Sequence, residues 1–137
     1  MHQETIEIEP RAAGLHEISQ AVAGVVARAG IHTGSCHVFV QHTSASLLIQ
    51  ENADPSARAD LESFFERIAP EGAAWYTHTA EGLDDMPAHL RAALTRTSEL
   101  IPVVAGRLGL GTWQGIYLFE HRHRPGRRRL VVTVSGV

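Results

Sequence analysis

Three observations in the sequence predict an α+β fold in one domain spanning 1–137. Period-two and period-3.6 hydrophobic patterns succeed one another irregularly, without the steady strand–helix alternation of a doubly wound parallel sheet. The last two strand patterns flank Pro125-Gly126, the signal of an antiparallel hairpin. The glycine-rich turn at 106–111 leads into a strand from Thr112 to Glu120 whose odd and even positions both carry large apolar groups. Such a strand is covered on both faces, either inside a two-layer domain or by another subunit.

Taken in order, residues 3–9 alternate Ile6 and Ile8 against Thr5, Glu7 and Glu9, which predicts a half-buried strand. Leu15, Ile18, Val22, Val25, Val26 and Ala29 recur at helical spacing, and Gly30 supplies a stop. A strand follows over 35–42; Thr43-Ser44-Ala45-Ser46 interrupts it, and Leu47-Leu48-Ile49 resumes as a second strand ending in Glu51 and Asn52. Asp54-Pro55 starts a helix, with a side-chain acceptor at the cap and proline at the first helical position. Leu61, Phe64, Phe65 and Ile68 are its apolar stripe, and it ends near Pro70. Residues 71–83 lack a period and read as a loop. A third helix is predicted from Asp85 to about Thr97, with Leu90, Ala93, Leu94 and Thr97 facing the core. Ile101, Val103 and Val104 make a short strand before the glycine turn, and Arg129 to Ser135 is the last strand.

Composition bounds the function. The hydrophobic and charged fractions, 44% and 20%, fit a soluble globular protein. A net charge of −3 gives no overall pull toward nucleic acid or anionic membrane, so neither is an expected partner. The polar start Met1-His2-Gln3-Glu4 is unlike a signal peptide, and no apolar run is long enough for a transmembrane helix. A single cysteine, Cys36, cannot form an internal disulfide, and a cytoplasmic location is expected.

Polar groups gather at the predicted element ends, where sites on a rigid scaffold lie. The hydroxyls of Thr43, Ser44 and Ser46 suit phosphate oxygens; they equally serve as turn residues. His42 beside them is either a ligand or a core-edge histidine satisfied by backbone. Glu51 closes an apolar strand. Gln114 and Glu120 stand at the two ends of one face of the 112–120 strand and need partners, which makes them candidate substrate-binding groups. His78 and His89 bracket Asp84 and Asp85, and Asp85 and His89, four apart, share a helix face. Neutral imidazoles with a nearby carboxylate are good ligands for divalent metals. The ten-residue gap between the histidines is not a recognised zinc spacing, and acidic groups also suit a helix N-terminus. Arginines at 122, 124, 127, 128 and 129 form a basic tail, read as a solvated hairpin first and an anion patch second.

Several stretches together resemble the YjbQ family, small proteins described as secondary thiamine-phosphate synthase enzymes. They are Ser98-Glu99-Leu100-Ile101-Pro102-Val103 leading to Gly106, Gly111-Thr112-Trp113-Gln114-Gly115-Ile116, His42-Thr43-Ser44-Ala45, Glu51-Asn52, the run from Glu81 to His89, and Glu120-His121-Arg122. One departure is Arg96 before Thr97-Ser98, where family members often have glycine. The resemblance implies a mixed, largely antiparallel sheet packed with three helices, assembled as a homotrimer. It also implies a polar pocket built from His42, His78 and His89 together with Glu51 and Asp84. On that basis His42, His78 and His89 are expected to converge on one divalent metal, with zinc the first expectation and magnesium suited to a diphosphate substrate. Glu51 or Asp84 would act as base, with His89 also catalytic. The activity implied joins a pyrimidine diphosphate to a thiazole phosphate and releases pyrophosphate. The broader expectation is a metal-dependent enzyme on a small phosphorylated metabolite; the alternatives are a metal-dependent hydrolase or lyase and a non-catalytic ligand-binding trimer.

Overall fold

A computed structural model describes residues 1–137. The strands are β1 (His2–Ile8), β2 (Gly14–Glu17), β3 (Gly34–Val40), β4 (Ala45–Glu51), β5 (Ser98–Val104), β6 (Arg107–Leu108), β7 (Gln114–Glu120) and β8 (Arg128–Gly136). The helices are α1 (Ser19–Ala29), α2 (Pro55–Ile68) and α3 (Asp85–Leu94). The α+β expectation and the three helices hold. The strands form two sheets, β1-β8-β3-β5-β6 and β2-β7-β4, in which every pair is antiparallel.

The main core lies between the sheets. Cys36, Val38 and Val40 of β3, Ile101 and Val103 of β5 and Leu130, Val132 and Val134 of β8 point inward by strict alternation. They meet Ala45 and Leu47 of β4, Ile116 and Leu118 of β7 and the α1 stripe Val22, Val25 and Val26. Gly30 ends α1 in the left-handed conformation, at φ 66°, as the sequence suggests. Asp54 caps α2 by accepting the Ser56 N–H at 2.9 Å, with Pro55 at the first position.

The predicted hairpin does not form, because β7 and β8 belong to different sheets. Their patterns explain this. β8 has one apolar face, whereas β7 has two and is used twice. Ile116 and Leu118 enter the core between the sheets, while Tyr117 and Phe119 join Leu15, Leu48 and Phe65 under α2. Gly115 permits a close approach on that second side; a Cβ there would stand 2.8 Å from a Glu17 carboxylate oxygen. No second subunit is therefore needed to cover β7.

Other boundaries shift for similar reasons. Leu15 is not helical: β2 pairs it with Phe119, and α1 begins only at Ser19. In α2, Phe65 is buried while Phe64 and Ile68 are exposed, since only the face toward β2 and β7 has a neighbour. α3 stops at Leu94 and turns Asp85, Pro87 and Ala88 inward; Leu94 is exposed. The chain after α3 becomes extended early because Arg96 bridges to Leu47 and β5 starts at Ser98. No helix is long and apolar enough to cross a membrane.

Candidate metal centre

The N-terminus of α3 presents Asp85 and, one turn on, His89; the loop before it carries His78 back over the same turn. His78 Nε2 lies 2.7 Å and His89 Nε2 3.1 Å from the same oxygen, Oδ2 of Asp85. The three potential ligand atoms all fall within 4.8 Å of one another. Asp85 is almost wholly buried, with a side chain 3% exposed. Burial pushes its carboxyl up, but the hydrogen bond from His78 and the charges of His89 and Arg122 outweigh that and hold it below the ordinary aspartate value.

The surroundings aim these groups. Arg122 Nη1 donates to the other Asp85 oxygen, Oδ1, at 2.6 Å, leaving Oδ2 to the histidines. Arg122 is fixed in turn by Asp84 through Nε at 3.1 Å and by the Glu81 carbonyl at 3.0 Å. His89 Nδ1 sits 3.2 Å from the Thr43 carbonyl oxygen. Both nitrogens of His89 thus face acceptors, although a neutral imidazole carries one N–H. A proton on Nδ1 donated to Thr43 leaves the Nε2 lone pair against a carboxylate. Either a protonated ring, which donates from both nitrogens, or a cation bound at this corner would resolve that conflict. Two imidazoles and a carboxylate are a known donor set for zinc and for other divalent transition metals. Tetrahedral ligands at ~2.0–2.1 Å would stand roughly 3.3 Å apart, near the two nitrogen–oxygen separations of 2.7 and 3.1 Å. The residues present fit a divalent metal.

The site differs from the expected one in four respects. His42 is not part of it: its Nε2 accepts the Arg129 N–H at 2.8 Å and its Nδ1 faces the Arg128 guanidinium at 3.3 Å. Burial and those arginine charges lower the His42 pKa, so the ring is neutral with its lone pair engaged, beside cations. Asp84 is adjacent to the cluster but faces away; Oδ2 accepts from Arg122 and from the His123 N–H at 2.9 Å. Glu51 is at the far end of β4, where it accepts the Asp54 N–H, and Gln114 pairs with it there and accepts the Gly111 N–H. Six residue steps along a strand place that end ~20 Å from Ala45.

The proposed phosphate hydroxyls are also engaged. Ser46 is buried, 2.9 Å from His121 Nε2 and bonded to Thr95; the Ser44 hydroxyl accepts from Arg128; Thr43 alone is exposed. Glu120 is fully buried and binds Arg128 and the N–H groups of His121 and Arg122, so it is a structural anchor. Asp85, and not its neighbour Asp84, is the shared acceptor, and Arg122 joins the site without having been expected there. The signal was present: Asp85 and His89 share a helix face, while Asp84 precedes the helix.

His121 forms a separate buried site. Burial, with the charges of Arg91 and Arg128, pulls its pKa down to about 3, and Nδ1 has no partner. The folded state thus binds fewer protons than the unfolded one between about pH 6.5 and 3. Stability linked to His121 is complete above that window and falls with pH by roughly 1.4 kcal/mol per unit inside it. His121→Gln, which does not titrate, is expected to flatten the slope of unfolding free energy between about pH 6 and 4; an unchanged slope contradicts this assignment.

Fold and site together define a two-sheet α+β protein with a His-Asp-His cluster at a helix start. Residues 4–137 match the family model described as UPF0047 protein YjbQ-like. A UPF0047 protein of Synechocystis is 56% identical, over 98% of this chain and 92% of its own. The UPF0047 protein YjbQ of Salmonella typhimurium is 43% identical, over 98% of each chain. Among solved structures, a YbjQ-like protein of unknown function from Sulfolobus solfataricus superposes with a TM-score of 0.90 at 26% identity, covering 99% of this chain and 97% of that one. A conserved hypothetical protein of Thermus thermophilus gives 0.86 at 32%, covering 96% and 99%. The chain belongs to the YjbQ/UPF0047 family.

Proposed function

We propose that this protein is a metal-dependent enzyme acting on a small molecule, with the cation held by His78, His89 and Asp85. Zinc suits the donor set best. The observation that carries the reading is the convergence of His78 Nε2 and His89 Nε2 on one oxygen of the buried Asp85, all three atoms lying within 4.8 Å of one another. A divalent cation there supplies Lewis acidity, polarising a phosphoryl or carbonyl oxygen and acidifying water. The protein's own groups supply the rest. Thr43 holds the proton of His89 at Nδ1, Arg122 holds Asp85 by its outer oxygen, and Asp84 holds Arg122.

A phosphorylated metabolite is the first substrate class to test, with thiamine-phosphate synthesis as the named candidate. A second reading, a metal-dependent hydrolase or lyase, is favoured by the engagement of the Ser44 and Ser46 hydroxyls inside the protein. The assay is thiamine phosphate formation from the pyrimidine diphosphate and thiazole phosphate, alongside a screen of phosphorylated metabolites, with zinc-loaded and chelated protein. Turnover that needs both zinc and His89 supports the enzyme reading. Turnover indifferent to both contradicts the metal-dependent reading, and none on any substrate favours a non-catalytic ligand-binding protein.

A homotrimer is part of this proposal. Apolar side chains stand uncovered on the outer face of the five-stranded sheet, where Phe39, Leu100 and Val104 are 40%, 67% and 59% exposed. Exposed apolar side chains on one sheet face are the make-up of an interface. Light scattering is expected to give three times the chain mass, and Leu100→Glu to reduce it; a wild-type monomer at micromolar concentration contradicts the proposal.

A further inference from the structure

The loop between α2 and α3 builds more than a perch for His78. Ala73, Ala74, Tyr76, Leu83 and Met86 line a cleft of about 250 Å³ whose rim includes His78 itself. Its walls are predominantly apolar although the segment is otherwise polar and exposed, and its position is set by defined bonds. The Tyr76 hydroxyl donates to the Pro70 carbonyl at 2.7 Å, and the Tyr76 N–H to the Ala73 carbonyl at 3.1 Å, so the ring is a fixed wall. Trp75 packs edge-on against Tyr76, with ring centroids 4.6 Å apart, yet remains 70% exposed. Leu83, which also lines the cleft, is 68% exposed. Neither belongs to the two apolar cores. Large apolar groups kept in solvent around a concave apolar surface have the make-up of ligand sites, in which a few polar groups fix orientation and the rest supply contact area.

We infer that this cleft binds the planar apolar ring of a small ligand whose polar head reaches the His78–Asp85–His89 cluster. The inference rests on the metal-centre reading and adds to it the substrate class, a ring-bearing molecule with a metal-ligating or anionic head. Continuity carries it, because His78 belongs to both sites: its Nε2 addresses Asp85 at 2.7 Å and the residue lines the cleft. Size agrees, since an enclosed apolar cavity of about 150 Å³ takes benzene. Two other clefts have other chemistry. The one at Glu62, Glu66, Glu71 and Arg91 is charged, and that at Glu7, His42, Arg127 and Arg129 has no apolar lining residue.

The chain offers its own reporter, for it has only two methionines, Met1 and Met86. In protein labelled at the methionine methyls, benzohydroxamate is titrated against acetohydroxamate, two chelators that differ in the ring. With zinc content verified at one per chain, benzohydroxamate is expected to bind at least about tenfold tighter, with the Met86 methyl shifted upfield by the ring current. Ala74→Leu, which fills the cleft, is expected to remove the preference and the Met86 shift while zinc content stays at wild type. Equal affinity of the two probes, or an unmoved Met86 signal in zinc-loaded protein, overturns the cleft assignment and leaves the metal centre standing. A protein that takes up no zinc overturns the metal centre and with it the joint site.

Discussion

Arg128→Ala is expected to destabilise the protein by about 3–5 kcal/mol, the cost of leaving one member of a buried ion pair without its partner. Glu120 is wholly buried at the end of β7, and Arg128, with a side chain 9% exposed, begins β8. Arg128 donates through Nε at 2.6 Å and through Nη2 to the two carboxylate oxygens, a bidentate arrangement that adds geometric strength. Nη2 also donates to the carbonyl and hydroxyl of Ser44. This pair stands where the chain leaves the three-stranded sheet for the five-stranded one, so its loss unties both. Urea denaturation with an unchanged slope and a lowered midpoint is the expected record. Arg128→Met with Glu120→Leu is expected to recover much of the loss, because the uncompensated charge is gone. A single variant within 1 kcal/mol of wild type contradicts this view of the corner.

The second large effect falls on metal affinity. His89→Ala is expected to weaken zinc binding at least tenfold, the low end of what disturbing even an outer partner does. Asp85→Asn is expected to do the same, because an amide keeps the shape and loses the charge. Arg122→Ala is expected to act more weakly through the orientation of Asp85, and His42→Ala to leave zinc binding at wild-type level, since His42 serves the Arg129 backbone. A zinc affinity that falls with His42→Ala and not with Asp85→Asn reverses the assignment.

Much of the fold was legible because each element carries its own signal. Alternation marks β1, β3 and β8, Asp54-Pro55 starts α2, and Gly30 stops α1. The pairing of β7 was not legible. Pro125-Gly126 is a local signal, whereas the sheet that β7 joins is decided by two apolar faces seeking two different partners. β2 escaped notice because Leu15 and Ile18 continue the α1 periodicity, and only pairing with β7 makes Leu15 extended. At the site, His78 and His89 were legible as a pair near carboxylates. His42 was grouped with them by family likeness; what excludes it is the Arg129 N–H, contributed from a strand 87 positions away. The role of Arg122 was equally hidden, being fixed by the meeting of the chain after β7 with the start of α3.

The most direct test of the central claim is elemental analysis of the purified protein after zinc loading and removal of free metal, with His89→Ala treated in parallel. The account predicts one zinc per chain in the wild type and substantially less in the variant. A wild-type protein that holds no zinc, or a His89→Ala protein that retains it fully, contradicts the account.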